Sequence, residues 1–206
     1  MYLPGHFAET RVPVLHAAMR RIAFGSLVTS AGGIAASHVP MLIDAAPEPY
    51  GTLEGHIARD NPQWRAGTGE ALAIFLGPDT YVSPSWYPSK AKHGRVVPTW
   101  NYVAIHAYGR VAFFDDRTRL EALVTRLTAT HEAGRPKPWA TSDAPRDYLD
   151  QMLGAIIGFT LPIVRLEGKW KMSQNRPPED RAGVVAALRA AGEEDIADLV
   201  EKPKSG

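Results

Sequence analysis

Aromatic and hydrogen-bonding side chains are concentrated between Gly77 and Tyr102, in the sequence GPDTYVSPSWYPSKAKHGRVVPTWNY. These 26 residues hold two of the five Trp and three of the seven Tyr, and the tripeptide Pro-[Ser/Thr]-Trp occurs in them twice. Flat apolar faces beside hydroxyls, an amide and cations suit a planar, anionic ligand such as a flavin or a nucleotide. The alternative is that these aromatic side chains only pack in the core, as they usually do in paired strands.

A second candidate segment, GHIARDNPQW at 55–64, lies at a predicted junction between a strand and a helix. The first turn of a helix offers free backbone N–H groups and the positive end of the helix dipole, which together attract phosphate. His56 and Arg59 lie just before this turn and could add charge-assisted hydrogen bonds. The alternative is a capped surface helix with a solvated arginine.

A third candidate segment, KWKMSQNR at 169–176, is polar and basic and follows an apolar strand. Its side chains at Lys171, Gln174, Asn175 and Arg176 could hydrogen-bond an imide edge or a phosphate. Without the other two segments, an ordinary basic loop would be the favoured explanation.

Composition excludes several classes of function. The chain of 206 residues has a net charge of +1 and no cysteine, so it has no thiol chemistry, no disulfides and no global attraction to nucleic acid. The seven His do not show metal-ligand spacing, and we expect no metal. Serine-hydrolase, dinucleotide-binding and P-loop motifs are missing as well. No apolar run is long enough to span a bilayer and the N-terminus does not resemble a signal peptide, so we expect a cytoplasmic protein without membrane contact.

The hydrophobic spacing predicts an α+β protein, mainly β with helices: a β-barrel of six or seven strands with peripheral and C-terminal helices. We predict strands at 23–30, 34–43, 52–58, 71–76, 81–85, 96–114 and 159–172. We predict helices after Thr10, Asp60 and Asp116 and at 147–157, 179–191 and 193–201. Asp60 is expected to cap the short helix that carries Trp64, Gly109 to form a bulge, and His131 to be structural. Residues 1–206 are predicted to form a single domain with a helical extension from about residue 177.

Taken in order, these segments resemble the PaiB-like family of FMN-binding negative transcriptional regulators. The resemblance is carried by MYLP at the N-terminus, GHIAR with the following NPQW, GPDTYVSPSWY, VPTWNY and KMSQNR, and it spans nearly the whole chain. Met172, where the family pattern has Leu, is a mild departure.

The resemblance implies an FMN-binding split β-barrel, related to the pyridoxamine-phosphate-oxidase-like flavoproteins, that forms a homodimer with FMN at the subunit interface. It also implies a bacterial regulatory role. DNA binding rests on the resemblance alone, since the acidic charge of the predicted last helix argues against contact with DNA phosphates. We expect the phosphate near Arg59 and Asn61, with His56 or Ser37 assisting, and Arg59→Ala to weaken FMN binding sharply. The other expected cofactor contacts are Trp86, Tyr87, Thr99, Trp100, Asn101, Tyr102, Lys171, Gln174 and Arg176.

No residue is predicted to be a general acid or base, because the chemistry would belong to the flavin. Two other hypotheses stay open at this point. One is a regulator that signals through a partner or DNA, with or without a ligand. The other is a flavin-dependent oxidoreductase, either a flavin reductase or an enzyme like the oxidases of B6 vitamers. Haem binding by one of the histidines, as in some split-barrel relatives, is the weakest alternative.

Overall fold

The computed structural model describes residues 1–202, which form seven strands and six α-helices. The strands are β1 (Ala8–Glu9), β2 (Phe24–Thr29), β3 (Ala35–Asp44), β4 (Thr52–Ala58), β5 (Gly69–Val82), β6 (Thr99–Phe114) and β7 (Ile156–Lys171). The helices are α1 (Val12–Ile22), α2 (Ser89–His93), α3 (Arg117–Glu132), α4 (Arg146–Gly154), α5 (Pro178–Ala190) and α6 (Glu194–Glu201). None of these helices is long and apolar enough to cross a membrane.

The strands are joined in the order β1-β7-β4-β3-β2-β5-β6, and a further pairing of β7 with β6 closes six of them into an antiparallel barrel. The β2–β3 hairpin is in register from Phe24 opposite Pro40 to Thr29 opposite Ala35. Its turn contains Gly32 and Gly33, both at positive φ, as the Gly-Gly pair predicts. The predicted α+β class and barrel fold are thus confirmed.

Two compact units share the chain. The first contains residues 1–18, 76–105 and 167–202, and the second contains residues 19–75 and 106–166. Inside the first unit, side chains from helices and strands form an apolar core that includes Leu15, Val82, Ile105, Met172 and Val184. Inside the second, alternate residues of β2, β4, β5 and β7 are buried, among them Leu27, Leu53, Ile57, Phe75 and Phe159. This alternation is the period of a strand with one face inward.

β5 differs from the prediction, which ended a strand at Gly77-Pro78. The strand continues to Val82, but the buried positions change from Ala71, Ala73 and Phe75 to Thr80 and Val82. The inward face therefore shifts from odd to even positions across the Gly-Pro pair. A continuous strand with such a shift is predicted as two strands, because the alternation of apolar and polar residues is interrupted where the inward face changes.

Three smaller predictions about helices were wrong. The short helix at 62–66 is a 3-10 turn capped by Asn61 rather than Asp60, since the Asn61 side chain accepts a hydrogen bond from the Gln63 amide. Helix α4 ends at Gly154, and the Ile-Ile pair that follows begins β7. His131 was expected to be structural, but its side chain is exposed at the end of α3.

Candidate cofactor-binding site

A hydroxyl–amide cluster, formed by Ser37, Asn61 and Gln63, lies in the second unit. The Ser37 hydroxyl donates to Oε1 of Gln63 at 2.6 Å and accepts from Nδ2 of Asn61 at 2.7 Å. Gln63 is buried, and its Nε2 donates to the Leu27 carbonyl at 3.0 Å. The structure thus brings Ser37 and Asn61 together, on a turn held by a buried glutamine that the sequence analysis did not select.

The Arg59 guanidinium, predicted to hold a phosphate, donates hydrogen bonds from each of its three nitrogens to partners inside the second unit. Two of its nitrogens bond the Asp115 carboxylate, one of them at 2.6 Å, and its Nε donates to the Gly154 carbonyl at 2.6 Å. A further bond reaches the Ile156 carbonyl at 3.2 Å. The guanidinium also lowers the pKa of the Asp115 carboxyl, chiefly by hydrogen bonding. A phosphate at this position would have to displace a bidentate carboxylate.

His56, on β4, is the only member of the predicted phosphate set with an unused polar atom. Its Nδ1 is buried and has no hydrogen-bond partner in the described structure. Burial lowers the pKa of this imidazole, which favours the neutral ring at neutral pH. An unpaired buried nitrogen of this kind is costly, and a ligand that pairs with it would recover the lost hydrogen bond.

A cation–aromatic cluster in the first unit comprises Lys169, Lys171 and Arg176 with the rings of Tyr87, Trp100 and Tyr102. Within it, the Lys171 ammonium donates to the Thr99 hydroxyl and to the Trp100 carbonyl, the latter at 2.5 Å. Both acceptors are neutral. Burial lowers the pKa of Lys171, and the positive charges of Lys169 and Arg176 lower it further.

The other two cations of the cluster also lie against neutral groups. The Lys169 ammonium donates to the Tyr2 carbonyl at 3.0 Å and lies 5.3 Å from the centre of the Tyr102 ring. The Arg176 guanidinium lies 4.7 Å from the centre of the Tyr87 ring. Ring faces attract cations, but they do not neutralise them. The cluster therefore carries positive charge that no carboxylate among residues 1–202 is seen to pair.

The aromatic side chains predicted to line a groove have different environments. The Trp100 ring is 53% exposed and meets Tyr81 edge to face, with ring centres 6.1 Å apart. Tyr87 is 2% exposed, and its buried hydroxyl has no hydrogen bond of good geometry among residues 1–202, although the Arg176 guanidinium lies near it. Trp86 is half-buried in a 3-10 turn. Trp100 thus offers the open apolar surface, whereas Tyr87 is part of the core.

Two predicted contacts are used inside the first unit itself. Asn101 is fully buried and exchanges hydrogen bonds with the Ser173 hydroxyl at 3.0 and 3.2 Å. Gln174 closes the turn after β7, because its side chain accepts from the Met172 amide at 2.7 Å and donates to the Trp170 carbonyl at 2.5 Å. These bonds hold the loop that carries Arg176.

The predicted residues therefore divide into two sets, one in each unit. The second unit holds Ser37, His56, Arg59 and Asn61, and the first holds Trp86, Tyr87, Thr99, Trp100, Asn101, Tyr102, Lys171, Gln174 and Arg176. Three residues of these clusters were missed: Gln63, Lys169 and Ser173. Lys169 could have been selected, because it lies two residues before Lys171 and side chains two apart share a strand face. Nothing in the sequence marks Gln63 or Ser173 as buried partners.

Comparison with known proteins places this chain in a family. Residues 1–165 match the family model described as "Putative FMN-binding domain". The protease synthase and sporulation protein PAI 2 of Bacillus subtilis is 31% identical, covering 92% of this chain and 89% of its own. An uncharacterized protein of Aspergillus fumigatus is 34% identical over 94% of this chain and 93% of its own, so relatives are also fungal.

Solved structures support the fold. The FAD and heme binding protein from Mycobacterium smegmatis aligns with a TM-score of 0.59 at 16% identity, covering 85% of this chain and 78% of that one. A flavocytochrome from Azotobacter vinelandii aligns with a TM-score of 0.59 at 12% identity, covering 85% and 75%. With its barrel fold and a family match over most of its length, this chain belongs to the FMN-binding family related to PaiB, and its cofactor is FMN.

Proposed function

We propose that this protein is an FMN-binding regulator in which the cation–aromatic cluster holds the anionic end of the cofactor. The observation that carries the assignment is the state of Lys171: a half-buried ammonium bonded only to neutral oxygens, with a pKa lowered by burial and by two neighbouring cations. A bound phosphate would stabilise all three positive charges at once.

The residues of this cluster fit FMN in both charge and shape. Lys169, Lys171 and Arg176 supply cations for the phosphate, and the exposed Trp100 ring supplies an apolar face for the flavin. The bound cofactor would supply electron-transfer chemistry, and the protein would bind and orient it.

The proposed binding is tested by titrating apo-protein with FMN and following the quenching of flavin fluorescence. We expect saturation with one FMN per chain, and a weaker affinity for riboflavin, which lacks the phosphate. Equal affinities for FMN and riboflavin would contradict a phosphate site at these cations. A colourless protein that shows no thermal shift with excess FMN would contradict the proposal as a whole.

The regulatory part of the proposal rests on the Bacillus relative, whose name refers to protease synthesis and sporulation. The sequence of α6 contains Glu194, Asp195, Asp198 and Glu201, so this helix has the wrong charge to meet DNA phosphates. We therefore propose that regulation passes through a protein partner. Sequence-specific, salt-dependent binding of promoter DNA by the pure protein would show instead that DNA is contacted directly.

We also propose that the protein forms a homodimer. Several large apolar side chains of the first unit are exposed, namely Leu76, Tyr81, Val97 and Trp100, and such side chains often mark an interface. Light scattering after size-exclusion chromatography should give twice the 22.5 kDa of the chain. The absence of cysteine is consistent with a reducing compartment, and we propose that the protein acts in the cytoplasm.

A further inference from the structure

A cavity of about 390 Å³ in the second unit has none of the predicted cofactor contacts in its lining. The last turn of α1, the C-terminal end of β3 and the last turns of α3 supply its walls. Its apolar lining comes from Met41, Leu42 and Ile43 of β3, with Ala23 and Ala129 beside them. The volume lies in the range of pockets that hold small molecules.

Two arginines dominate the polar lining of this cavity. Arg20 and Arg126 line it together with Thr130 and His131, and no carboxylate among residues 1–202 does. Arg126 is paired with Glu54 at 2.6 Å, whereas the exposed Arg20 has no recorded partner among residues 1–202. Backbone carbonyls at the two helix ends are already used: Met19 accepts from the Ala23 amide at 2.7 Å, and Ala129 accepts from the Ala133 amide at 3.1 Å. The guanidinium of Arg20 is thus the group available to a ligand.

The sequence of α3 explains why the cavity exists. Leu120, Leu123 and Leu127 form a buried stripe at helical spacing. The next positions of that stripe are Thr130 and His131, which are polar and exposed. A helix packed along its whole length would place apolar side chains there. The stripe stops one turn early and leaves the cavity open.

The backbone beside the cavity is also unusual. Ala23 has φ +57°, in the left-handed region that residues with a Cβ rarely adopt. Its carbonyl accepts from the Met41 amide at 2.8 Å, which fixes this residue against the β3 wall. Strained residues of this kind persist where the surrounding structure holds them, and they are frequent at binding sites.

We propose that this cavity binds a small amphipathic carboxylate, with the carboxylate on Arg20 and the apolar tail against Met41, Leu42 and Ile43. The proposal does not depend on FMN binding. It gives the protein a ligand site built from residues other than the proposed flavin contacts, of the kind through which a metabolite could act on a regulator.

The test is calorimetric titration of the FMN-loaded protein with hexanoate, with hexanamide as the uncharged analogue. We expect saturable binding of hexanoate and at least tenfold weaker binding of hexanamide, because a charge-assisted hydrogen bond is lost. Arg20→Gln should weaken hexanoate binding about tenfold. Ala129→Phe, which fills the cavity from an exposed helix position, should abolish it.

A control variant separates this site from others. Arg110→Gln removes an exposed arginine elsewhere in the second unit and should leave hexanoate binding unchanged. Equal binding of hexanoate and hexanamide would overturn the proposal. So would unchanged affinity in both Arg20→Gln and Ala129→Phe, or no saturable binding in the millimolar range.

Discussion

Arg59 and Lys171 are both basic side chains in segments that the sequence marks as anion sites, but they have opposite surroundings. Arg59 has a bidentate carboxylate partner and two backbone carbonyls. Lys171 is half-buried, bonds two neutral oxygens and lies near two further cations. A cation whose partner belongs to its own fold holds structure together, whereas one that is left without a counter-charge is ready for a ligand.

The largest expected effect is a loss of folding stability from a substitution in α5, the helix that supports the cation–aromatic cluster. A Cβ on Gly183 of α5 would lie 2.1 Å from the Trp86 carbonyl oxygen, so α5 packs directly on the turn that leads to Tyr87. Gly183→Ala should destabilise the protein by about 3 kcal/mol, because a backbone atom cannot move aside easily. Urea unfolding measures this. Gly154→Ala, where a Cβ would meet nothing within 4 Å, is the control and should change stability by less than about 0.5 kcal/mol. Equal effects of the two variants would contradict this close packing.

Next in size is the loss of FMN affinity on removing the Lys171 ammonium. Lys171→Gln should weaken FMN binding by about 2 kcal/mol, or roughly 30-fold, since a charge-assisted bond to phosphate is removed. Fluorescence titration measures the affinity. Lys92→Gln removes an exposed lysine that is already paired with Glu179 at 2.5 Å, and it should leave the affinity unchanged. If both variants bind FMN like the wild type, the cluster is not the phosphate site.

The pH dependence of FMN binding should follow Lys171. Its pKa is lowered in the free protein, so the ammonium loses its proton at a lower pH than an ordinary lysine and the site then loses a charge. FMN affinity should therefore fall as pH rises through this lowered pKa, by several-fold. Lys171→Arg stays protonated throughout and should give a flatter profile. A wild-type profile as flat as that of Lys171→Arg would argue against a role for this ammonium.

The smallest expected effect on FMN affinity is that of a substitution at Arg59, in the second unit. Arg59→Ala should lower the melting temperature, because Asp115 and two carbonyls lose their partner, but it should leave FMN affinity within about twofold. The sequence-based hypothesis predicts the reverse, with a sharp loss of affinity at unchanged stability. Measuring both quantities on this one variant decides between the two assignments.

Much of the fold could be predicted from the sequence, because its signals are local. β4 was predicted at its observed bounds, and Asp116 caps α3 by accepting from the Arg119 amide, as its position before an amphipathic stripe indicates. The continuity of β5 could not be predicted, since the burial period changes at Gly77-Pro78. The exposure of His131 could not be predicted either, because the apolar stripe of α3 ends beside a cavity that only tertiary packing creates.

By itself, the sequence determined the family, the barrel and the segments that contain the candidate site, because these depend on residue types and spacing along the chain. Only the tertiary structure decided which basic side chains already have a partner. Asp115 follows Arg59 by 56 residues and meets it through the packing of the second unit, whereas no carboxylate partner of Lys171 is seen in the described chain. Charge pairing depends on distance in space, and a sequence pattern records only distance along the chain.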